Sequence, residues 1–279
     1  MKTFCFKLYN SRRNSEIMRL IDIAGLVYNH CIALHRRYYR LYGGYIHKND
    51  LQKHLTSLKR TKRFGFFRRL DAQAMQNVVE RIDLLYARFW KSLKRKQKAS
   101  PPKFRKVKKY KSITLKQSGW RLDEQSRTIT IQGICCRYYK SRNIEGRVKT
   151  VTVKRDLLGD IYVYFCCETQ CDVVGFRSGK SVGLDFGLKR FLTASDGHDI
   201  ESPDFFDINA TSIRSNSRKI SRRKKGSGNF ERARLDLARA YRKMYNQRHD
   251  FHFKTARKLC EDYAVICLED LNIKAMTKR

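Results

Sequence analysis

The sequence has nine cysteines in 279 residues but no C-x-x-C pair, so a four-cysteine zinc site has no support. The cysteine count is odd, and apart from the adjacent pairs Cys135-Cys136 and Cys166-Cys167 the residues are scattered. That is no disulfide framework. Cys166, Cys167 and Cys171 lie close together, but small buried hydrophobes are a plainer reading than a metal group. No run reaches the roughly 18 apolar residues that a bilayer-spanning segment needs. The N-terminal MKTFCFKLYN alternates and has no h-region, which excludes a signal peptide. No repeat recurs at solenoid periods. Acidic residues are also scarce: 26 Asp+Glu face 62 Lys+Arg, a formal net charge of +36. Such an excess implies a polyanionic partner, nucleic acid before an anionic membrane. Hydrophobic residues make up 41%, enough for real cores, and the length suits two domains or one with a large insertion.

The pattern changes along the chain. Phe4, Phe6 and Leu8 alternate as in a half-buried strand. Ile17 to Leu41 keep helical spacing after a candidate N-cap, Ser15, and Gly43-Gly44 stop the helix. A shorter helix is expected after Asp50. Met75, Val78, Val79, Ile82, Leu85, Tyr86, Phe89, Trp90 and Leu93 form a third stripe, read as core rather than a base-stacking surface. From Ser100-Pro101-Pro102 onward, short β-type runs follow: 112–115, 127–131, 148–153 and 161–167, the last two joined at Gly159-Asp160. These predict a small antiparallel barrel or sheet that includes the first strand and carries the helices as an insertion. After a linker at 171–180, SVGLDF and RFLTAS predict a hairpin through Gly187-Leu188, with 199–202 a further strand. Residues 211–229 read as a polar, basic loop. A helix from about Glu231 to Glu261 would put Leu235, Ala238, Tyr241, Tyr245, His249, His252, Ala256 and Leu259 on one face, the histidines packing rather than ligating. YAVICLEDL, 263–271, suits a strand buried on both faces.

Two of these strands end in carboxylates, Asp185 and Glu269-Asp270. Strand, hairpin, strand, helix, strand is the start of an RNase H-type α/β domain. If the last strand returns beside the first, Asp185 and Glu269 meet at one sheet edge. Two carboxylates that close need a shared proton or a cation between them, and oxygen ligands suit Mg²⁺ or Mn²⁺. The alternative is local: Asp185 hydrogen-bonds at a strand end and Glu269 caps a turn.

Three stretches carry the positive charge. KRTKRFGFFRR, 59–69, mixes Lys62, Arg63 and Arg68 with three phenylalanines that either stack on bases or turn into the core. Residues 91–111 hold eleven Lys/Arg and no acid, among them Lys94, Arg95, Lys96, Lys103, Arg105, Lys108 and Lys109. A nucleic-acid backbone running along them is one reading, a solvated linker the other. RSNSRKISRRKK, 214–225, adds Arg218, Arg222, Arg223, Lys224 and Lys225. Such contacts are salt-sensitive and carry no sequence information.

GLDFGLKRFLTASDG, 183–197, resembles the first RuvC motif of the TnpB/OrfB family of insertion sequences, in which G-[IL]-D-x-G-[LV]-K leads into a turn ending in DG. ICLEDLNIKAM, 266–276, is similar to the second, and the basic stretch 217–259 to the segment between them. FWKSLKRKQKASPPKFRK and VKTVTVKRDLLGDIYVYF fit the family's N-terminal half. The resemblance implies a mixed α+β and α/β chain that acts as a compact RNA-guided DNA nuclease, related to the ancestors of type V CRISPR effectors and often called a transposase. It implies a β-barrel-like wedge domain at 1–10 and 100–172, a helical recognition insertion at 11–99, and a RuvC domain at 178–279. Guide RNA and double-stranded DNA would be the partners. Asp185 and Glu269 would be two of three acids holding Mg²⁺ (or Mn²⁺). The family normally continues into a zinc-binding segment and a third RuvC motif with a third aspartate, which this sequence does not carry. The expectation is therefore an incomplete RNase H-like (RuvC) domain without zinc, in the cytoplasm near the nucleoid. Either a C-terminal fragment or a full-length relative completes it, or the chain binds RNA and DNA without cutting. A general basic RNA-binding protein is the third reading.

Overall fold

The alternation at the start of the chain puts Phe4, Phe6 and Leu8 on one face, each almost fully buried, and that face floors the larger core. The computed structural model describes residues 1–169, 179–187 and 190–271. The chain divides into two compact units, residues 1–170 and 171–279. The expected linker, the Leu188 half of the hairpin turn, Cys171 and residues 272–276 fall wholly or largely outside the described residues.

The first unit runs β1 (Lys2–Lys7), α1 (Asn14–Tyr42), α2 (Lys48–Leu58), a 3-10 segment (Lys62–Arg69), α3 (Ala72–Lys94), β2 (Ser112–Leu115), β3 (Trp120–Asp123), β4 (Thr128–Ile131), β5 (Ile134–Arg137), β6 (Arg147–Arg155) and β7 (Ile161–Glu168). All strand pairs here are antiparallel. They form a four-stranded sheet, order β1-β7-β6-β2, and a three-stranded sheet, order β3-β4-β5. A bridge between Leu8 and Tyr138 joins the two at one corner. Among the described residues β2 and β3 do not pair, so the expected barrel is an open one. Phe6, Tyr138 and Phe165 meet where the sheets join, with ring centroids 5.3 to 6.0 Å apart.

Helix α1 starts one residue before Ser15, which donates from Oγ to the Arg12 carbonyl at 2.7 Å instead of capping. It ends as expected at Gly43, whose φ of +65° is left-handed. By length and composition α1 is apolar enough to cross a membrane, contrary to the sequence expectation, but more than half of that stretch is buried in this unit. Helix α3 is capped by Asp71, whose Oδ1 accepts from the Gln73 N–H at 2.8 Å. Its stripe from Met75 to Tyr86 is buried, but Trp90 and Leu93 lie past the core and are exposed. The eight cysteines described are free; Cys31, Cys136 and Cys167 are buried, and burial pushes the Cys31 thiol up to about 12.

The second unit runs β8 (Ser181–Asp185), β9 (Arg190–Ala194), β10 (Asp199–Glu201), α4 (Phe205–Ser221), α5 (Gly228–Asp262) and β11 (Val265–Leu268). Its sheet order is β10-β9-β8-β11, with β11 parallel to β8 and the other pairs antiparallel. Three expectations change here. Most of the basic loop at 211–229 is helix α4, which packs Asn209, Ala210 and Ile213 inward; Asn209 also donates to Gln247 Oε1 on α5 at 2.8 Å. On α5 the buried positions are Ala233 and Ala240, while Tyr241 and Tyr245 are exposed, so the helix faces its partner on a different stripe. Strand β11 is an edge strand among the described residues, with Val265 and Leu268 about half exposed, not buried on both faces.

Gly25 of α1 makes a close approach: a Cβ there would lie 2.9 Å from the Tyr110 Cβ. Gly→Ala inside a helix normally gains about 1 kcal/mol, but overpacking loses about 1–3 kcal/mol. Gly25→Ala should therefore lower the denaturation midpoint. A raised midpoint in chemical denaturation would contradict the close packing of α1 on Tyr110.

Candidate active site and nucleic-acid interface

Strand β8 delivers Asp185 at its C-terminal end, after the buried Val182 and Leu184. Strand β11 delivers Glu269 one residue past its end. The parallel register pairs Val265 with Ser181 and Leu268 with Leu184. Extending it by one residue sets Glu269 beside Asp185, on neighbouring backbones about 4.8 Å apart. Both residues are exposed. Ser195 ties β9 to β8 from the other side, its Oγ accepting from the Gly183 N–H at 3.0 Å and its own N–H donating to the Gly183 carbonyl at 2.9 Å. Gly187 fits the turn because a Cβ would come within 3.0 Å of the Arg190 carbonyl oxygen. Arg190 is paired with Asp199 across the hairpin, so the nearby cation is engaged elsewhere. Two carboxylates with no cation partner among the described residues fit a hard divalent ion. Mg²⁺ commonly takes one or two protein carboxylates and completes its shell with water and substrate phosphate. Among the described residues no group of three or more His, Cys, Asp or Glu gathers there.

The second unit also carries Arg218 near the end of α4, and Arg222, Arg223, Lys224 and Lys225 in the turn before α5. All five are exposed. Helix α5 has 35 residues, about 52 Å of length at 1.5 Å per residue. Phe251, His252 and Leu259 in its last third pack on the sheet, His252 stacked on Phe191 at 5.4 Å. The basic turn thus stands at the far end of a helical hairpin that extends past the sheet.

In the first unit the 3-10 segment turns Phe67 into the core and half-buries Phe64, leaving Phe66 exposed. Lys62, Arg63 and Arg68 stay at the surface; Arg63 lies 5.4 Å from the Phe64 ring centroid and Arg68 Nε donates to the Lys59 carbonyl at 2.9 Å. Lys94 at the end of α3, and Arg95 and Lys96 just past it, are exposed. The stretch after them is not a free linker. Tyr28 Oη donates to the Lys103 carbonyl at 3.1 Å, and Asn29 both donates to the Arg105 carbonyl and accepts from its N–H. Arg155 donates to the carbonyls of Tyr110 at 3.0 Å and Val107 at 2.8 Å. Its Nη1 also sits 2.7 Å from Asp22, which pairs with Lys108 as well. The backbone is therefore clamped to α1 while Lys103, Arg105, Lys106, Lys108 and Lys109 remain exposed. Sequence reasoning missed Asp22, Asn29 and Arg155. The one signal was a carboxylate, Asp22, between the apolar Ile21 and Ile23 of α1.

Residues 164–279 match the OrfB_IS605 family model, described as a probable transposase. The whole chain also aligns at 25% identity with a proposed RNA-guided DNA endonuclease, InsQ, of Escherichia coli (strain K12), covering 68% of that protein. These matches support membership of the TnpB/OrfB family. A second family member, also named as a proposed RNA-guided DNA endonuclease, from Streptomyces pristinaespiralis, is 24% identical over 99% of this chain and 68% of its own length. A TnpB-like protein of Acanthamoeba polyphaga mimivirus matches 47% of the chain at 24% identity.

Burial alone would raise the Asp22 carboxyl, but hydrogen bonds from Lys108 and Arg155 outweigh it and hold the group below its usual range. Its stabilising contribution is then complete above the unfolded value of about 4 and fades as pH falls through the folded value. Asp22→Asn should flatten the acid limb of the stability curve. Arg155→Met should cost about 3 kcal/mol by leaving the Tyr110 carbonyl unpaired and Asp22 with Lys108 alone. It should also speed tryptic cleavage between Lys103 and Lys109. An unchanged cleavage rate would contradict the clamp.

Proposed function

We propose that this chain is a transposon-encoded, RNA-guided and metal-dependent DNA endonuclease. The observation that carries the reading is the parallel pairing of β8 with β11, whose last pair, Leu184 with Leu268, lies one residue before Asp185 and Glu269. The sheet order, three antiparallel strands followed by one parallel to the first, supports an RNase H-like (RuvC) domain over 178–279. The names of the relatives from E. coli and Streptomyces support guide RNA and DNA as partners. Residues 1–10 and 100–172 would form the wedge and 11–99 the recognition insertion.

Asp185 and Glu269 would hold Mg²⁺ or Mn²⁺ between their carboxylates. When bound, such an ion positions and activates water and stabilises the leaving oxygen in phosphodiester hydrolysis. Asp185 is fixed by β8, which is paired on both sides, whereas Glu269 is held through β11 alone. The clamped segment 103–111 and the 3-10 segment give the first unit a fixed row of cations for the phosphate backbone. The α4–α5 turn gives the second unit another. None of these contacts reads bases, so sequence would come from pairing with the guide.

The test uses protein purified together with RNA from its own locus. Asp185→Ala and Glu269→Ala should each abolish Mg²⁺-dependent cutting of DNA matching that RNA while leaving RNA and DNA affinity within about twofold. Cutting by the double variant would overturn the site. Removing Lys103, Arg105 and Lys109 together should weaken binding to all sequences alike and reduce the salt slope by about 2. An unchanged slope would remove this segment from the interface.

A further inference from the structure

The first unit contains an aromatic cavity that neither the carboxylates nor the clamp uses. It has a volume of about 350 Å³, at the lower end of the range for small-molecule sites. His35, Arg36 and Arg40 of α1, Tyr45, and Tyr86 and Trp90 of α3 line it. His35 is the unusual member. It is 3% exposed, stacked on Tyr45 with ring centroids 4.7 Å apart and tilted against Tyr86 at 4.8 Å. Yet neither of its ring nitrogens has a hydrogen-bond partner. Buried polar groups are nearly always paired, with protein, water or a ligand, so these two nitrogens leave donor and acceptor capacity unused. Burial holds its titration down to about 4, although Asp83 pulls the other way. At neutral pH the ring is uncharged and offers one donor and one acceptor. Tyr45 is fixed in place, its Oη donating to Asp83 Oδ1 at 2.8 Å.

The mouth has a different character. Trp90 is 42% exposed there, and Arg36 and Arg40 are exposed beside it. The Arg36 guanidinium lies 4.5 Å from the Phe104 ring centroid, which brings the basic segment 91–111 to the rim. Flat aromatic walls, an uncharged donor–acceptor ring at depth and cations outside are complementary to one kind of ligand. That ligand is a planar heterocycle with its own donor and acceptor, attached to an anionic chain. An apolar side chain from a protein partner would fill the walls but leave His35 unpaired and gain nothing from the arginines.

We propose that this cavity holds one unstacked nucleobase of a strand whose phosphates lie on Arg36, Arg40 and the neighbouring basic segment. The proposal rests on the reading of the chain as a nucleic-acid binder, but it concerns a site remote in sequence from Asp185 and Glu269. The strand is RNA or DNA; the chemistry in the cavity is the same.

The experiment uses the full chain and two short single strands. One is abasic throughout; the other carries a single 2-aminopurine in an otherwise abasic strand. Both are made as RNA and as DNA. The single base should raise affinity about tenfold and its fluorescence should be quenched on binding; the sugar giving the larger gain identifies the source. His35→Phe, which keeps the packing, and Trp90→Ala should remove the gain without altering affinity for the abasic strand. In the unsubstituted protein the His35 ring nitrogens should shift in NMR with the base-bearing strand and not with the abasic one, a readout independent of how the variants fold. Equal affinity for both strands with unmoved imidazole nitrogens would overturn the cavity proposal alone. No binding of either strand would overturn the nucleic-acid reading with it.

Discussion

The second unit depends on one pairing, that of β11 with β8. Four residue pairs hold it, Ser181–Val265 to Leu184–Leu268. The long helix α5 has to come back to the sheet for it to form, and about 80 residues of chain separate the partners. Little apolar surface supports it. The buried hydrophobics of this core are Val182, Leu184, Leu192 and Ala194, with Phe191, Ile200, Leu259, Tyr263 and Ile266 packed at their edge. A core this small gives a modest stability margin. A site made at the ends of these two strands is only as well defined as the pairing, and a shift of register by one residue would send one carboxylate to the other face. Repulsion between the carboxylates opposes the pairing; a cation between them would favour it.

Charge sets the second constraint. A net charge of +36 disfavours any compact state that gathers its cations. The first unit offsets this through one acid where the backbone must be fixed: Asp22 holds Arg155 and Lys108, and Arg155 holds the carbonyls of Val107 and Tyr110. The segment is fixed at the backbone, and apart from Lys108 its cations have no acidic partner among the described residues. Such an arrangement would favour the phosphate binding proposed above, because ordering entropy would already be lost before a strand arrives. The larger core beneath it, with Phe4, Phe6, Tyr138 and Phe165, makes such a fixed surface possible.

Features that rest on local periodicity were legible in the sequence. Helices α1 and α3, the Gly43 stop and the strands β2, β4, β6 and β7 all follow from spacing within a few residues. The short strands β3 and β5 were not, since Trp120–Asp123 and Ile134–Arg137 carry too few alternations to register. Helix α4 was hidden by its polarity: three inward residues, Asn209, Ala210 and Ile213, sit among serines and arginines. The face of α5 was misread because its exposed aromatics, Tyr241 and Tyr245, look more like core than Ala233 and Ala240 do. Trp90 shows the same error at the end of α3. Asp185 and Glu269 stood out as carboxylates closing apolar runs, but their adjacency is a matter of long-range pairing that no local pattern encodes. The clamp by Arg155 and the cavity around His35 are long-range for the same reason.

The central claim is that Asp185 and Glu269 form one site for a divalent cation. Its most direct test is Mn²⁺ binding to the full chain, followed by paramagnetic relaxation, for the unsubstituted protein, Asp185→Asn, Glu269→Gln and the double variant. A shared ion predicts that either single change removes the same tight site and that the second change adds nothing further. Independent and additive losses, or a tight site that survives both changes, would contradict it.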